Sequence, residues 1–284
     1  MILITGAKGQ LGKEFQKFLS GKNQEYLAMD RLELDITDLE KIRKILRNTQ
    51  AEYIINCAAY NDVDKAQEDW KNAFSINAIG VRNLSIAASE TGAELIHFST
   101  DYVFPGNRNI PYTIYDQPNP INKYGESKVL GERFLKELNN KYYLIRTSWL
   151  FGDGENNFVR KVLSWASSRQ NIRVVDDEVS SPTFTADLTK AVWDIMKIKA
   201  YGTYHITNSS CSRYEWAELI LKEINWQGVL ERSKKQEFNL PAKRPDYTVL
   251  DNFGFKETAG YELPSWQEAT IRFISAMKAK GQIL

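Results

Sequence analysis

The chain opens with MILITGAKGQLG, Met1 to Gly12. Ile2 to Thr5 run apolar and β-branched straight into glycines at positions 6, 9 and 12. A short apolar run closed by glycine predicts a buried strand, and the amphipathic QLGKEFQKFL behind it predicts a helix. Glycines at such a junction permit a tight turn and let backbone amides approach an anion at the helix N-terminus. The spacing G-x-x-G-x-x-G lies one residue from the G-x-G-x-x-G fingerprint of dinucleotide sites. A plain strand-to-helix turn has the same look, so the rest of the chain decides.

The same rhythm continues for half the sequence. Strands are predicted at Glu25 to Met29, Tyr53 to Asn56, Glu94 to Ser99 and Tyr142 to Ser148. Between them fall helical patterns through DLEKIRKILRN, from Trp70 to Thr91, and through NKYGESKVLGE. Near-continuous apolar strands separated by helices predict an α/β fold, a doubly wound parallel sheet covered on both faces. After Trp149 the pattern loosens. LFGDGENN reads as a loop, NFVRKVLSWASS as a helix and IRVVDD as a short strand. Thr185 is the expected N-cap of the next helix, and two more amphipathic helices follow in SRYEWAELILKEI and LPSWQEATIRFISAMKAK. The stretch between them, about 226 to 258, is polar and carries Pro241 and Pro245. The expected organisation is a Rossmann-type domain over residues 1–150. Residues 151–284 then form a smaller substrate-binding lobe, with some segments returning to the sheet.

Composition removes whole classes of function. A formal net charge of +1 implies no pull toward nucleic acid or membrane. No run approaches the length of a membrane span, and MILITGAKG does not read as a secretory leader. Two cysteines, Cys57 and Cys211, are too few for a disulfide scaffold or a cysteine zinc site. Both histidines, His97 and His205, sit in apolar runs and read as structural. A reduced, cytoplasmic protein without a metal centre is expected.

Asp30 ends the second strand, where a carboxylate accepts from adenosine ribose hydroxyls and favours NAD. Arg31 beside it favours NADP by neutralising a 2′-phosphate. The sequence leaves NADH and NADPH both open. Asp35 is a candidate for the adenine edge. Ala58 and Ala59 are small enough for a cofactor to lie against their backbone, or simply for close helix–strand packing.

Ligands of such sheets bind at the carboxyl ends of the strands, where Thr100 falls. Tyr124 follows 24 positions later, with Lys128 on the same helical face. With 14 tyrosines in the chain, about one Tyr-x-x-x-Lys is expected by chance, so the spacing alone decides nothing. Its setting behind a glycine loop and a strand-end hydroxyl is far more specific. A carbonyl reduced by hydride needs a proton, and a free phenol is a sluggish donor at neutral pH. A nearby ammonium is expected to lower the phenol's pKa. Lys128 would also hold the nicotinamide ribose, and Thr100 would orient the substrate oxygen.

GAKGQLG, NCAAYNDVDKAQED, STDYVFPG, NPINKYGESKVLGE, RTSWLFG, SPTFTADL and KRPDYTVLDN together span nearly the whole chain. On these stretches the sequence resembles the extended short-chain dehydrogenase/reductases, and among them the dTDP-4-dehydrorhamnose reductase family. The resemblance implies reduction of the 4-keto group of a dTDP-sugar by NADPH or NADH, giving dTDP-L-rhamnose. It implies cofactor contacts at Gly6, Gly9, Gln10, Leu11, Asp30, Arg31, Asp35, Ile36, Ala58, Ala59 and Tyr60, with Tyr124 and Lys128. Thr100, Tyr124 and Lys128 match the catalytic trio, and Thr100, Asp101 and Trp149 match positions facing the sugar nucleotide. Arg244 either meets the nucleotide's phosphates or makes a surface salt bridge. Asn61 stands where the family pattern has threonine after AAY. Some members place Mg2+ between the subunits of a homodimer through glutamates that have no mapped counterpart here.

Two other functions compete. Nucleotide-sugar dehydratases and epimerases share the fold, and the dehydratases carry a TDEVYG pattern with an acidic proton handler. Here Tyr102 and Val103 follow Asp101, which favours simple reduction. A non-catalytic nucleotide-sensing subunit, like the regulatory β subunit of methionine adenosyltransferase, is the other; the retained hydroxyl, tyrosine and lysine speak for an enzyme.

Overall fold

Alternate residues of the first strand face opposite ways, Ile2 and Ile4 into one apolar core and Leu3 into another. A strand buried on both sides needs helices on both sides, and that requirement sets the architecture. A computed structural model describes residues 1–283. In its first half the strands are β1 (Ile2–Thr5), β2 (Tyr26–Met29), β3 (Tyr53–Asn56), β4 (Glu94–Thr100) and β5 (Tyr142–Thr147). The second half adds β6 (Leu150–Phe151), β7 (Asn171–Val175), β8 (Val179–Ser180), β9 (Thr183–Phe184), β10 (Gly202–His205), β11 (Cys211–Ser212) and β12 (Val229–Ser233). The helices are α1 (Gln10–Gly21), α2 (Leu39–Thr49), α3 (Lys65–Glu68), α4 (Trp70–Phe74), α5 (Val81–Thr91) and α6 (Lys123–Leu138). After them come α7 (Phe158–Ser168), α8 (Thr185–Ile198), α9 (Arg213–Glu223), α10 (Phe253–Ala259) and α11 (Trp266–Ala279).

The central sheet is wholly parallel, in the order β10-β5-β4-β3-β1-β2. The doubly wound α/β fold expected from the sequence is present. The order in which strands are added reverses between β1 and β3, which opens a crevice at their carboxyl ends. On one face Phe15 and Leu19 of α1 and Leu188, Val192 and Ile195 of α8 cover Ile4, Ile55 and Ile96. On the other, Ile42 and Leu46 of α2, Leu84 and Ala88 of α5 and Leu135 of α6 cover Leu3, Ile54, Leu95 and Leu144. A separate core joins Phe151, Val162, Ile172, Trp216 and Phe273, binding α7, α9 and α11 to the β7–β12 pair. Trp149, Leu150 and Gly154, on the segment leading into this core, line the crevice.

The structure departs from the sequence reading in four places. The helix expected across 70–91 is broken at Ser75–Gly80 by a π-helical turn. The wider turn aims Asn77 inward. Its Oδ1 accepts from the Tyr60 amide at 2.8 Å, and its Nδ2 donates to the Tyr60 carbonyl at 3.0 Å and the Ser127 hydroxyl at 3.0 Å. Thr185 is the first residue of α8 rather than its cap; Phe184 takes the cap position without a side-chain bond. The Thr185 side chain is instead pressed against Gly152, where a Cβ would lie 2.0 Å from its hydroxyl. Leu150–Phe151, expected in a loop, pairs with Thr183–Phe184. The polar stretch near 226–258 contains β12 and α10, the former an edge strand with too little buried surface to show apolar alternation.

Candidate active site

The loop between β1 and α1 is built for close approach. Gly6 has φ +65°, and a Cβ there would sit 2.5 Å from the Ala58 amide nitrogen. At Gly12 a Cβ would lie 2.5 Å from the Gly6 carbonyl oxygen. α1 has no side-chain cap and no acidic residue in its first turn. Its first amides therefore point unpaired into the crevice with the helix dipole behind them, the arrangement that binds a phosphate. These features fit a dinucleotide pyrophosphate.

Two adjoining cavities of about 620 Å³ each meet along Lys8, Gly9, Cys57, Ala58, Ala59 and Asn61. The outer one is lined by Gly6, Asp30, Arg31, Asp35, Ile36 and Tyr60. The inner one gathers Gln10, Leu11, Thr100, Tyr124, Lys128 and Trp149. Sequence candidates more than a hundred residues apart thus share one continuous crevice. Asn56 shapes its floor: Oδ1 accepts from Thr5 Oγ1 at 2.7 Å and from the Ala58 amide at 3.2 Å, and Nδ2 contacts His97 Nδ1 at 3.0 Å. His97 and His205 are buried and line neither cavity. Cys57 lies where both cavities meet, and burial pushes its thiol pKa up.

Asn122 caps α6, accepting from the Gly125 amide at 2.8 Å, and so fixes the helix start that carries Tyr124. Lys128 is 2% exposed, and its Nζ donates to the Phe98 carbonyl at 2.6 Å. Burial lowers its pKa to about 8, with the Glu132 carboxylate one turn on opposing the shift. Glu132 is itself held by Arg146 of β5 through bonds of 3.0 and 2.7 Å. The Tyr124 phenol moves opposite to the sequence expectation. Burial raises its pKa, and a hydrogen bond with Thr100 only partly offsets this. The Lys128 ammonium is committed to the Phe98 carbonyl, so desolvation prevails over its field. A phenol so placed keeps its proton until a stronger base forms beside it.

Asp101 lies beneath the crevice rather than in it, 2% exposed. One oxygen accepts from Thr100 Oγ1 at 3.0 Å; the other accepts from Ser180 Oγ at 2.9 Å and from Thr248 Oγ1. The carboxylate thus ties the end of β4 to the smaller lobe and sets the Thr100 rotamer. Arg244 stands outside both cavities with its fork closed on Asp64, at 2.9 and 2.6 Å. Trp149 has φ +43°, a strained conformation for a bulky residue, and its ring lies parallel to Trp216 with centroids 6.0 Å apart.

Lys8, at the crevice, and Arg213, against the Trp149 ring, escaped sequence reasoning. Lys8 pairs directly with Asp30, whose Oδ1 also accepts from the Leu32 amide at 2.9 Å. The pair raises the Lys8 pKa and lowers that of Asp30. Its signal was a basic residue inside the glycine loop itself. Arg213 lies 3.5 Å over the Trp149 ring. Nothing in CSRYEW marked it, because the contact joins α9 to the far end of β5. Among the described residues, no group of three or more His, Cys, Asp or Glu side chains is placed to hold a metal ion. No described helix is long and apolar enough to cross a membrane.

Residues 1–279 match the family model described as RmlD substrate binding domain. A dTDP-4-dehydrorhamnose reductase of Aggregatibacter actinomycetemcomitans is 37% identical, with 94% of this chain and 96% of that one covered. The crystal structure of such a reductase from Clostridium acetobutylicum superposes with TM-score 0.95 at 42% identity, covering 98% and 99% of the two chains. One from Bacillus anthracis, in complex with NADP, gives TM-score 0.94 at 39% identity over 97% and 98%. The parallel-sheet fold is therefore a shared one, and the chain belongs to the RmlD substrate binding domain family.

Proposed function

We propose that the chain reduces the 4-keto group of dTDP-4-dehydro-L-rhamnose with NADPH or NADH, producing dTDP-L-rhamnose. The observation that carries this reading is Thr100, Tyr124 and Lys128 lining one cavity behind an uncapped glycine-loop helix. The nicotinamide, when bound, supplies the hydride to sugar C4. Tyr124 delivers its phenol proton to the C4 oxygen as charge builds there, and Thr100 orients that oxygen. Lys128, anchored on β4, holds the cofactor ribose and stabilises the phenolate left behind. The outer cavity takes the adenosine half along Asp30, Arg31, Asp35 and Ile36, with Ala58, Ala59 and Tyr60 opposite. Trp149 walls the sugar side. Asp101 acts by positioning Thr100 rather than by touching sugar.

The Lys8–Asp30 pair bears on cofactor choice. With Asp30 compensated by Lys8, the edge of the adenosine cavity repels a 2′-phosphate less, and Arg31 offers it a cation. We therefore read NADPH as preferred and NADH as accepted.

Dehydration needs a free acid or base beside the sugar, and the Asp101 oxygens are already occupied by three hydroxyl donors. The test is to supply dTDP-4-dehydro-L-rhamnose and follow consumption of each reduced cofactor. Turnover without added NAD(P)H, on tightly retained NAD+, would replace reduction by the epimerase reading.

A further inference from the structure

Gln10, the first residue of α1, spends its side chain on the segment that leads out of the central sheet. Its Nε2 donates to the Leu150 carbonyl at 3.0 Å, and its Oε1 accepts from Asn157 Nδ2 at 3.3 Å, 147 positions along the chain. Asn157 is 5% exposed, and its Oδ1 caps α7 by accepting from the Arg160 amide at 3.1 Å. Its Nδ2 also donates to the carbonyls of Gly152 and Gly154, at 3.0 and 3.1 Å, which draws residues 152–157 into a tight strap. Gly154 seats that strap on α1. A Cβ there would lie 2.4 Å from the Gln10 Cβ, an atom fixed to the helix backbone that cannot swing aside. On its outer side the strap is tied through Asp153 to Lys280, at the end of α11, at 2.6 Å.

The strap reaches only one half of the crevice. Gly154 and the exposed Glu155 and Asn156 line the inner cavity together with Gly9, Gln10 and Leu11 of the phosphate-binding turn. No residue of 152–157 lines the outer cavity. A dinucleotide with its pyrophosphate on the α1 amides therefore has the strap against its pyrophosphate and nicotinamide half, and its adenosine half lies beyond the strap. Strap and cofactor meet on one residue, since the Gln10 side chain holds the strap and its backbone amide is among the free donors at the helix start.

We propose that residues 152–157 are a strap over the bound cofactor, latched by Gln10 and Asn157, and that the latch sets how slowly the dinucleotide leaves. The inference rests on the two cavities holding NADPH or NADH. Asn157 lines neither cavity, so it is a positioning residue that acts through Gln10 and the strap backbone. Opening the strap breaks these bonds, so their cost enters the dissociation rate far more than the association rate.

Two variants test it on the full chain. Asn157→Ser keeps a capping hydroxyl for α7, adds no charge and removes all three Nδ2 donations. Gly154→Ala keeps every donor and lifts the strap off Gln10. In stopped-flow displacement both variants should release NADPH, or NADH, at least ~10-fold faster, with association changed by less than about threefold. Adenosine 2′,5′-bisphosphate, or AMP where NADH is the cofactor bound, occupies the outer cavity alone and should bind all three proteins alike. Cofactor should also protect Glu155 from a glutamyl endopeptidase in wild type and lose that protection in both variants. Unchanged release from both variants overturns the strap and leaves the cofactor reading standing. Equal weakening of the dinucleotide and its adenosine fragment marks a structural role and overturns the strap as well. A wild-type chain that binds neither NADPH nor NADH overturns the cofactor reading and the inference together. Should Asn157→Ser fail to melt cooperatively, Gly154→Ala carries the same measurements.

Discussion

Lys128 donates from Nζ to the carbonyl oxygen of Phe98 at 2.6 Å, so the ammonium of α6 is anchored on the strand that delivers Thr100. Burial brings its pKa to about 8, and in the proposed reaction the charged form is the one that holds the ribose and the phenolate. Activity should therefore fall as pH rises through about 8. Glu132 opposes the shift, so Glu132→Gln should move that alkaline limb to lower pH. Stability runs the other way. Below about 8 the amine is charged folded and unfolded alike and its burial is unfavourable; the penalty fades between about 8 and the 10.5 of a free lysine. Rate–pH profiles of wild type and Glu132→Gln check the first claim, and denaturant melts across the same range check the second.

Removing the Tyr124 hydroxyl should cost chemistry and not binding. Tyr124→Phe is expected to lower kcat by roughly 10²- to 10⁴-fold, the usual worth of a positioned proton donor. NADPH affinity should stay within about twofold, since Lys128 and the glycine loop remain. Single-turnover rates beside fluorescence titration of the cofactor separate the two, and unchanged turnover would favour a binding subunit.

The Lys8–Asp30 pair predicts a split between cofactors. Lys8→Ala should reduce kcat/KM for NADPH by about 10-fold, the scale of one exposed charge-assisted phosphate contact. For NADH the change should be small or favourable, because Asp30 is freed for ribose hydroxyls. Parallel steady-state assays with both cofactors decide it, and equal losses would remove Lys8 from the 2′ position.

The π-helical turn holds the cofactor loop through Asn77. Asn77→Ala removes three hydrogen bonds, two of them to Tyr60, and should destabilise the fold by about 1–3 kcal/mol. Gly131 of α6 packs on the same turn, where a Cβ would lie 2.2 Å from the Asn77 carbonyl oxygen. Gly131→Ala should therefore part the two helices, lowering the melting temperature and weakening NADP+ binding together. Loss of stability with intact cofactor affinity would show that the Tyr60 loop holds itself.

Local spacing determined a good deal. Gly6, Gly9 and Gly12 after an apolar run could only describe a strand bending sharply into a helix. Tyr124 and Lys128 share a face by helical period alone, and both line the inner cavity. What spacing cannot carry is the identity of a charged group's partner. Asp101 has the sequence setting of a sugar contact, yet its carboxylate is taken up by Ser180 and Thr248. Arg244 closes on Asp64, 180 positions away, while Arg213, silent in the sequence, stacks on Trp149 and pairs with Glu178. The π-helical turn was equally hidden, since its cause is Asn77 reaching Tyr60 and Ser127 on other segments. Backbone form follows from neighbours in the chain, whereas desolvation and pairing follow from neighbours in space. The sequence by itself therefore determined the fold and the helix that carries Tyr124 and Lys128, and only the tertiary structure decided which partner each charged group meets.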